Sequence, residues 1–360
     1  MTKAARQHNW DLLRSLAMFL VVVVHSSAYL PVVSSNFDLQ FALSQAAIIC
    51  DPIFFMLSGY FALRPLKCSL KEFYLKKVSS ILFPIFLYSI ILYVYNAWGS
   101  LGIGGYVSFA ADLFYGGWWF IPALVPFLIL SPFIYKALEG IDDRWIIRLT
   151  QLLAVIYIWG VLYHLAGYTA TLIERPGLNN LLRMVTAGFP VTLISGYFAV
   201  FCYGYLYRRL SGIVSEKVKR VFRFMVLPSI ILSFVFAGIG VSQNDPNQIW
   251  VIGAFSMFFL FEKVRIPEGI PSRLVEWVAK RSYSVYLFQY TTIAIMADLV
   301  YTHFLFGNAF STSIFYAIPT WMLFVVAAYL FALAIASVLD PLILEPIQRK
   351  FKIFIKKVCK

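Results

Sequence analysis

Ten stretches of this chain are apolar enough, and long enough, to leave few folds open to it. They fall at about 12–30, 45–63, 78–98, 120–138, 146–168, 187–207, 224–241, 247–262, 282–304 and 313–344. A segment of roughly 17 or more apolar residues spans a bilayer as a helix, because lipid offers no partner to an unpaired backbone N–H or C=O. Only the eighth stretch is close to that minimum. With 61% hydrophobic and 13% charged residues, the chain is not an ordinary soluble domain. The expectation is an all-α polytopic membrane protein, about ten helices in one bundle, forming a single membrane domain over 1–360 with no appended soluble domain.

Threading ten spans from a cytoplasmic N-terminus sorts the basic residues by side. Of the 30 Lys and Arg, all but Arg175 and Arg183 fall on the inner side, as the bias of cytoplasmic loops towards cations requires. A wrong span count would scramble that sorting, so both termini are predicted to be cytoplasmic. The net charge of +13 then reflects topology and anionic inner-leaflet lipid, and it does not suggest nucleic acid. Membrane lipids are the expected surroundings. Cys50 and Cys202 lie in apolar spans and Cys68 and Cys359 on the inner side, so neither a disulfide framework nor a metal-ligand spacing emerges. The first span has the basic flank of a signal peptide but no cleavage site, and is expected to be retained. Segments 67–77 and 208–223 mix basic and apolar residues and read as surface helices on the inner leaflet. The outer loops at 31–44, 99–119 and 169–186 carry Gly, Ser, Asn, Tyr and Trp, a composition suited to sugars or to water.

Ionisable groups deep in these spans are costly and mark candidate sites. Arg14 stands where the first span begins, and His25 follows eleven residues later, about 16 Å deeper and on the same helix face. Asp51 lies about 19 Å from the inner boundary marked by Arg64, at a depth comparable with His25 on the adjacent span. A carboxylate that orients an imidazole makes it a general base, although the same pair could simply lock two helices. Asp51, Phe55, Ser58 and Ala62 form one stripe, with Gly59 beside it and Pro52 loosening the turn above, and small residues there admit a close backbone or ligand. Arg14, Lys76 and Lys77 stand at the inner rim, where cations bind phosphate oxygens, though positive-inside topology also explains the lysines. On the ninth span Ser282, Tyr286, Gln289 and Ile293 share a face expected to meet water or a ligand. Asp298 and Asp340 lie nearer membrane ends, where snorkelling or capping accounts for them.

These residues resemble the membrane acyltransferase 3 family over essentially the whole chain. Asp11-Leu-Leu-Arg14-Ser-Leu-Ala17 through His25 is similar to the family's Asp-x-x-Arg-x-x-Ala…His signature. Asp51-Pro-Ile-Phe54-Phe55-Met-Leu-Ser58-Gly59-Tyr60 resembles its Phe-Phe-x-x-Ser-Gly-Phe segment. Trp118-Trp119-Phe120-Ile121 resembles its Leu-Trp-Phe-Leu element, and Ser282-Tyr-Ser-Val-Tyr286-Leu287 its Ser-x-x-Ile-Tyr-Leu element. Two positions depart from the pattern. Lys77-Val-Ser-Ser80 lacks the second cation of the family's Arg-x-x-Arg, and Gln289 stands where a histidine is common and cannot act as a base near neutral pH.

The resemblance implies transfer of an acyl group, usually acetyl, from cytosolic acetyl-CoA or another acyl-CoA to a cell-envelope carbohydrate or glycolipid acceptor, in a bacterial cytoplasmic membrane. It implies His25 as general base with Asp51, and Arg14, Lys76 and Lys77 on donor phosphates. Ser58, Trp119, Tyr286 and Gln289 become acceptor contacts, with no metal. The competing reading is a transporter that uses His25 and Asp51 as a proton relay. Against it stand the lack of an inverted repeat and the placement of the pair on the first two spans.

Overall fold

The computed structural model describes residues 6–30, 37–172, 177–178, 180–181, 196–241, 245–300 and 314–359. Arg175, Arg183 and His303 lie outside the described residues. Among those described there is helix and no strand, as a lipid solvent demands. The helices are α1 (His8–Ser26), α2 (Leu39–Ala47), α3 (Cys50–Ala62), α4 (Leu70–Lys77), α5 (Phe83–Asn96), α6 (Ile103–Tyr115) and α7 (Phe120–Glu139). They continue as α8 (Asp143–Leu172), α9 (Tyr197–Ile213), α10 (Glu216–Gly238), α11 (Gln248–Lys263), α12 (Ile270–Val300), α13 (Ile314–Leu339) and α14 (Glu345–Val358).

Among the described residues, 7 helical stretches are long and apolar enough to cross a membrane: His8–Tyr29, Leu39–Ala62, Leu70–Asn96, Phe120–Glu139, Asp143–Ala170, Glu216–Gly238 and Phe315–Val358. The other three expected spans differ for separate reasons. The sixth falls partly outside the described residues, leaving α9 at 17 residues. The eighth is α11, 16 residues long and buried almost throughout. The ninth is α12, 31 residues long, whose first half carries the charges of Arg273, Glu276, Lys280 and Arg281.

Three local features follow directly from residue chemistry. The second span is broken at Ile48–Ile49, because Pro52 has no N–H to give the Ile48 carbonyl, and the Asp51 N–H takes that oxygen instead at 2.9 Å. Asp51 thereby falls in the first turn of α3, where a carboxylate faces the positive end of the helix dipole. The expected surface helix over 208–223 is two helices: α9 ends at Ile213, and the Ser215 hydroxyl accepts from the Val218 N–H to cap α10. The 67–77 segment forms α4, capped by Ser69 and continued through a π-turn at Val78–Leu82 into α5.

The chain divides into two compact units. The first comprises Met1–Leu63 and Phe133–Ile266, the second Arg64–Pro132 and Pro267–Lys360. In the first, α3 packs on α9 and α1, and α10 packs on α11 and α2. Gly59 and Gly204 let α3 and α9 touch backbone to backbone: a Cβ on Gly59 would stand 1.8 Å from the Phe201 carbonyl oxygen, and one on Gly204 2.1 Å from that of Met56. Gly59, beside the α3 stripe, thus serves a neighbouring helix. Trp10, Tyr60, Tyr207 and Phe258 form an aromatic cluster beside this seam, with Trp10 5.0 Å from Tyr60 and 5.2 Å from Phe258. In the second unit α12 packs on α13 and α5.

Candidate functional site

In the first unit α1 and α3 run antiparallel: Tyr60 near the end of α3 meets Gln7 and Trp10 at the start of α1, whereas Gln40 in α2, which leads into α3, donates to the Leu30 carbonyl just past the end of α1. The Arg14 guanidinium lies 5.5 Å over the Phe61 ring. His25 and Asp51 are therefore at the same end of the pair, and Arg14 at the other. From the Arg14–Phe61 contact His25 is eleven residues along α1 and Asp51 ten along α3; from the Trp10–Tyr60 contact the counts are fifteen and nine. At 1.5 Å per residue, these registers put the two groups about 2 to 9 Å apart along the axis. Arg14 and His25 are about 20° apart around α1, and both are half-buried.

Arg14 is a cation without a hydrogen bond or ion pair among the described residues. Asp11, three residues away, is engaged by Arg6 through bonds of 2.6 and 3.0 Å. The Arg14 guanidinium therefore keeps its donors for an anion, which suits a phosphate contact. In the second unit Lys76 is paired with Glu72 at 2.7 Å, a weaker fit to the same role, while Lys77 is half-buried with its ammonium 5.5 Å over the Phe73 ring.

Around Asp51 the structure adds residues that sequence reasoning missed. The Cys50 thiol donates to Asp51 Oδ1 at 3.5 Å, and Asp245 and Tyr197 lie within electrostatic reach of the carboxylate. The Tyr197 hydroxyl donates to Asp245, and its ring stacks on Phe55 at 4.4 Å. Asp245 stands in a polar connection 194 positions from Asp51, so no spacing rule could pair them. Ser58 is half-buried on α3, one residue before the glycine seam.

In the second unit two segments that are separate in sequence are brought together. Trp118 Nε1–H donates to the Leu287 carbonyl and the Tyr286 hydroxyl to the Gly117 carbonyl, both at 3.1 Å. Trp118, which is fully buried, anchors the turn, whereas Trp119 is half-buried. The face of Ser282, Tyr286, Gln289 and Ile293, expected to meet water or a ligand, is buried throughout. The Gln289 carboxamide is enclosed with no hydrogen-bond partner among the described residues, an unusual state for a group that costs about 1–3 kcal/mol to leave unpaired. Asp340 is also placed differently from expectation: it is buried and accepts from Tyr88 and Ser284, each at 2.8 Å, while Asp298 is exposed. Asp340 thus ties α5 and α12 to the turn that follows α13.

Among the described residues, 7 helical stretches long and apolar enough to cross a membrane mark an integral membrane protein. The family model for an acyltransferase domain, acyltransferase 3, matches residues 7–340, and the chain belongs to that family. It is a membrane acyltransferase. No curated protein and no solved structure matches the chain.

Proposed function

We propose that this membrane acyltransferase moves an acyl group, acetyl in our reading, from a cytosolic acyl-CoA to a hydroxyl of a cell-envelope carbohydrate or lipid-linked glycan. The reading places the chain in a bacterial cytoplasmic membrane as one domain of ten spans with both termini inside. His25 takes the proton of the acceptor hydroxyl as its oxygen attacks the thioester carbonyl. The C–S bond breaks, the new C–O ester forms, and the proton passes from His25 to the departing thiolate. Asp51 orients the imidazole and stabilises its charged form. Arg14 holds donor phosphate and Lys77 is a second candidate for it; Lys76 first has to leave Glu72. Ser58, Trp119, Tyr286 and Gln289 are assigned to the acceptor.

The observation that carries this reading is the α1–α3 pair, with an uncommitted Arg14 at one end and His25 and Asp51 at the other. An acyl carrier anchored by its phosphates at the first end needs a thioester arm long enough to reach the second, about 16 Å away. The test is release of free CoA from acetyl-CoA by the purified protein in liposomes with an envelope glycan supplied. Release should require both the acceptor and His25 and vanish in His25→Ala. No release across several acyl-CoAs and acceptors sinks the proposal and favours transport.

A further inference from the structure

The turn anchored by Trp118 also walls a pocket of about 180 Å³ that lies wholly in the second unit, between α5, α6 and α12. At the roughly 30 Å³ a water molecule takes in the liquid, this is room for about six waters. It is below the several hundred Å³ of a site for a drug-sized ligand and matches one six-membered sugar ring. Phe109, Trp118 and Tyr290 give it aromatic walls, and Asp112 and Thr291 give it polar groups.

Each wall is held by a specific contact. Trp118 is pinned through Nε1 to Leu287, and Phe109 lies 5.6 Å from the ring of Tyr93, which fastens α6 to α5 through the Gly102 carbonyl at 2.9 Å. Gly117 admits the Tyr290 ring, because a Cβ there would stand 2.6 Å from it. The Asp112 side chain is exposed and has no hydrogen bond or ion pair among the described residues, so both its oxygens are open to donors.

Aromatic faces beside one uncommitted carboxylate narrow the ligand. An acyl chain would draw nothing from the carboxylate, and an anion would be repelled by it. A pyranose meets both demands: its C–H face packs on the rings, while neighbouring hydroxyls donate to the two carboxylate oxygens in charge-assisted bonds. We propose that this pocket of the second unit is a sugar-binding subsite, holding one terminal pyranose ring of the glycan, with Asp112 accepting from its hydroxyls and the exposed Tyr290 ring packing on its face. The inference rests on the carbohydrate-acyltransferase reading above and adds to its acceptor residues a subsite for one further ring of the glycan within the second unit.

The experiment measures binding without turnover. The full chain in lipid nanodiscs is titrated by saturation-transfer NMR with the methyl glycosides of glucose, galactose, mannose and N-acetylglucosamine. At least one should bind the parent protein and His25→Ala alike. Losing a hydrogen bond to a charged group weakens binding roughly 10- to 100-fold, so Asp112→Asn should show that loss, and Tyr290→Leu a comparable one, with unfolding midpoints unchanged. Binding untouched by both substitutions puts the sugar elsewhere and overturns the proposal. So does the absence of binding by every glycoside, or a preference for tetramethylammonium, the other ligand that aromatic walls and a carboxylate could take. CoA release measured in parallel separates the two levels: glycan-dependent release with no effect of Asp112→Asn removes only the subsite, whereas pyranoside binding without release removes only the chemistry.

Discussion

Gly59→Ala should open the seam between α3 and α9. The added Cβ would lie 1.8 Å from the Phe201 carbonyl oxygen, and Cβ contacts under 3.0 Å essentially never occur. The obstacle is backbone on a rigid helix, so no side chain can swing away, and the helices must part by about 1.2 Å along that line. A gap of 0.5–1 Å already forfeits a quarter to a half of a dispersion contact, and overpacked interiors typically lose about 1–3 kcal/mol. The Phe55–Tyr197 stack straddles the same interface. Against this, replacing a helical glycine by alanine gains about 0.5–1 kcal/mol. The net expectation is a loss of roughly 1–2 kcal/mol after that gain.

Cys50, buried at the start of α3, reports on this directly. With Cys68, Cys202 and Cys359 changed to serine, maleimide labelling of Cys50 in detergent measures how often α3 opens. About 1.4 kcal/mol is a factor of ten, so labelling should quicken by roughly 5- to 30-fold. Gly212→Ala is the control: it sits in α9 with nothing within 4 Å of its Cβ, and should leave labelling unchanged or slow it. Equal labelling of the Gly59 and Gly212 variants would refute the backbone contact.

Arg14→Ala should raise the acyl-CoA KM roughly 10- to 100-fold with little change in kcat, and Arg14→Lys should recover part of it because a point charge replaces a fork of donors; an unchanged KM removes Arg14 from donor binding. Asp340→Ala strands the Tyr88 and Ser284 hydroxyls, which at about 1–3 kcal/mol each predicts a loss of roughly 2–5 kcal/mol in reversible unfolding. Asp340→Asn, which keeps one acceptor oxygen, should lose distinctly less, and equal losses would count against the double bond. Trp118→Phe should lower stability by about 1 kcal/mol through the lost bond to Leu287, and a phenylalanine variant as stable as the parent would show that the indole N–H does not hold the turn.

Much of this protein was readable from residues alone, and the physical reason is the solvent. A bilayer admits only structures that satisfy their own backbone, so apolar length translated into helix almost everywhere it was described. Helical periodicity placed Arg14 and His25 on one face, and Pro52 marked the break in the second span. What the pattern gives is position along and around each helix. It carries nothing about which neighbour covers a given face. Of the close backbone or ligand that Gly59 allowed, the fold supplies a helix backbone; the polar face of α12 is buried, and Asp340 near a span end is enclosed between two hydroxyls.

The contacts that only tertiary structure decided join residues far apart in the chain. Trp118 and Leu287 are separated by 169 positions, and Tyr88 and Asp340 by 252. Tyr197, Asp245 and Asp51 converge from three elements. Hydropathy treats each of these residues as one more member of its span, because burial in lipid and burial against another helix look alike to it. The difference is made by packing: a hydroxyl, an indole N–H or a carboxylate inside a bundle must find a partner on whichever helix the fold brings near.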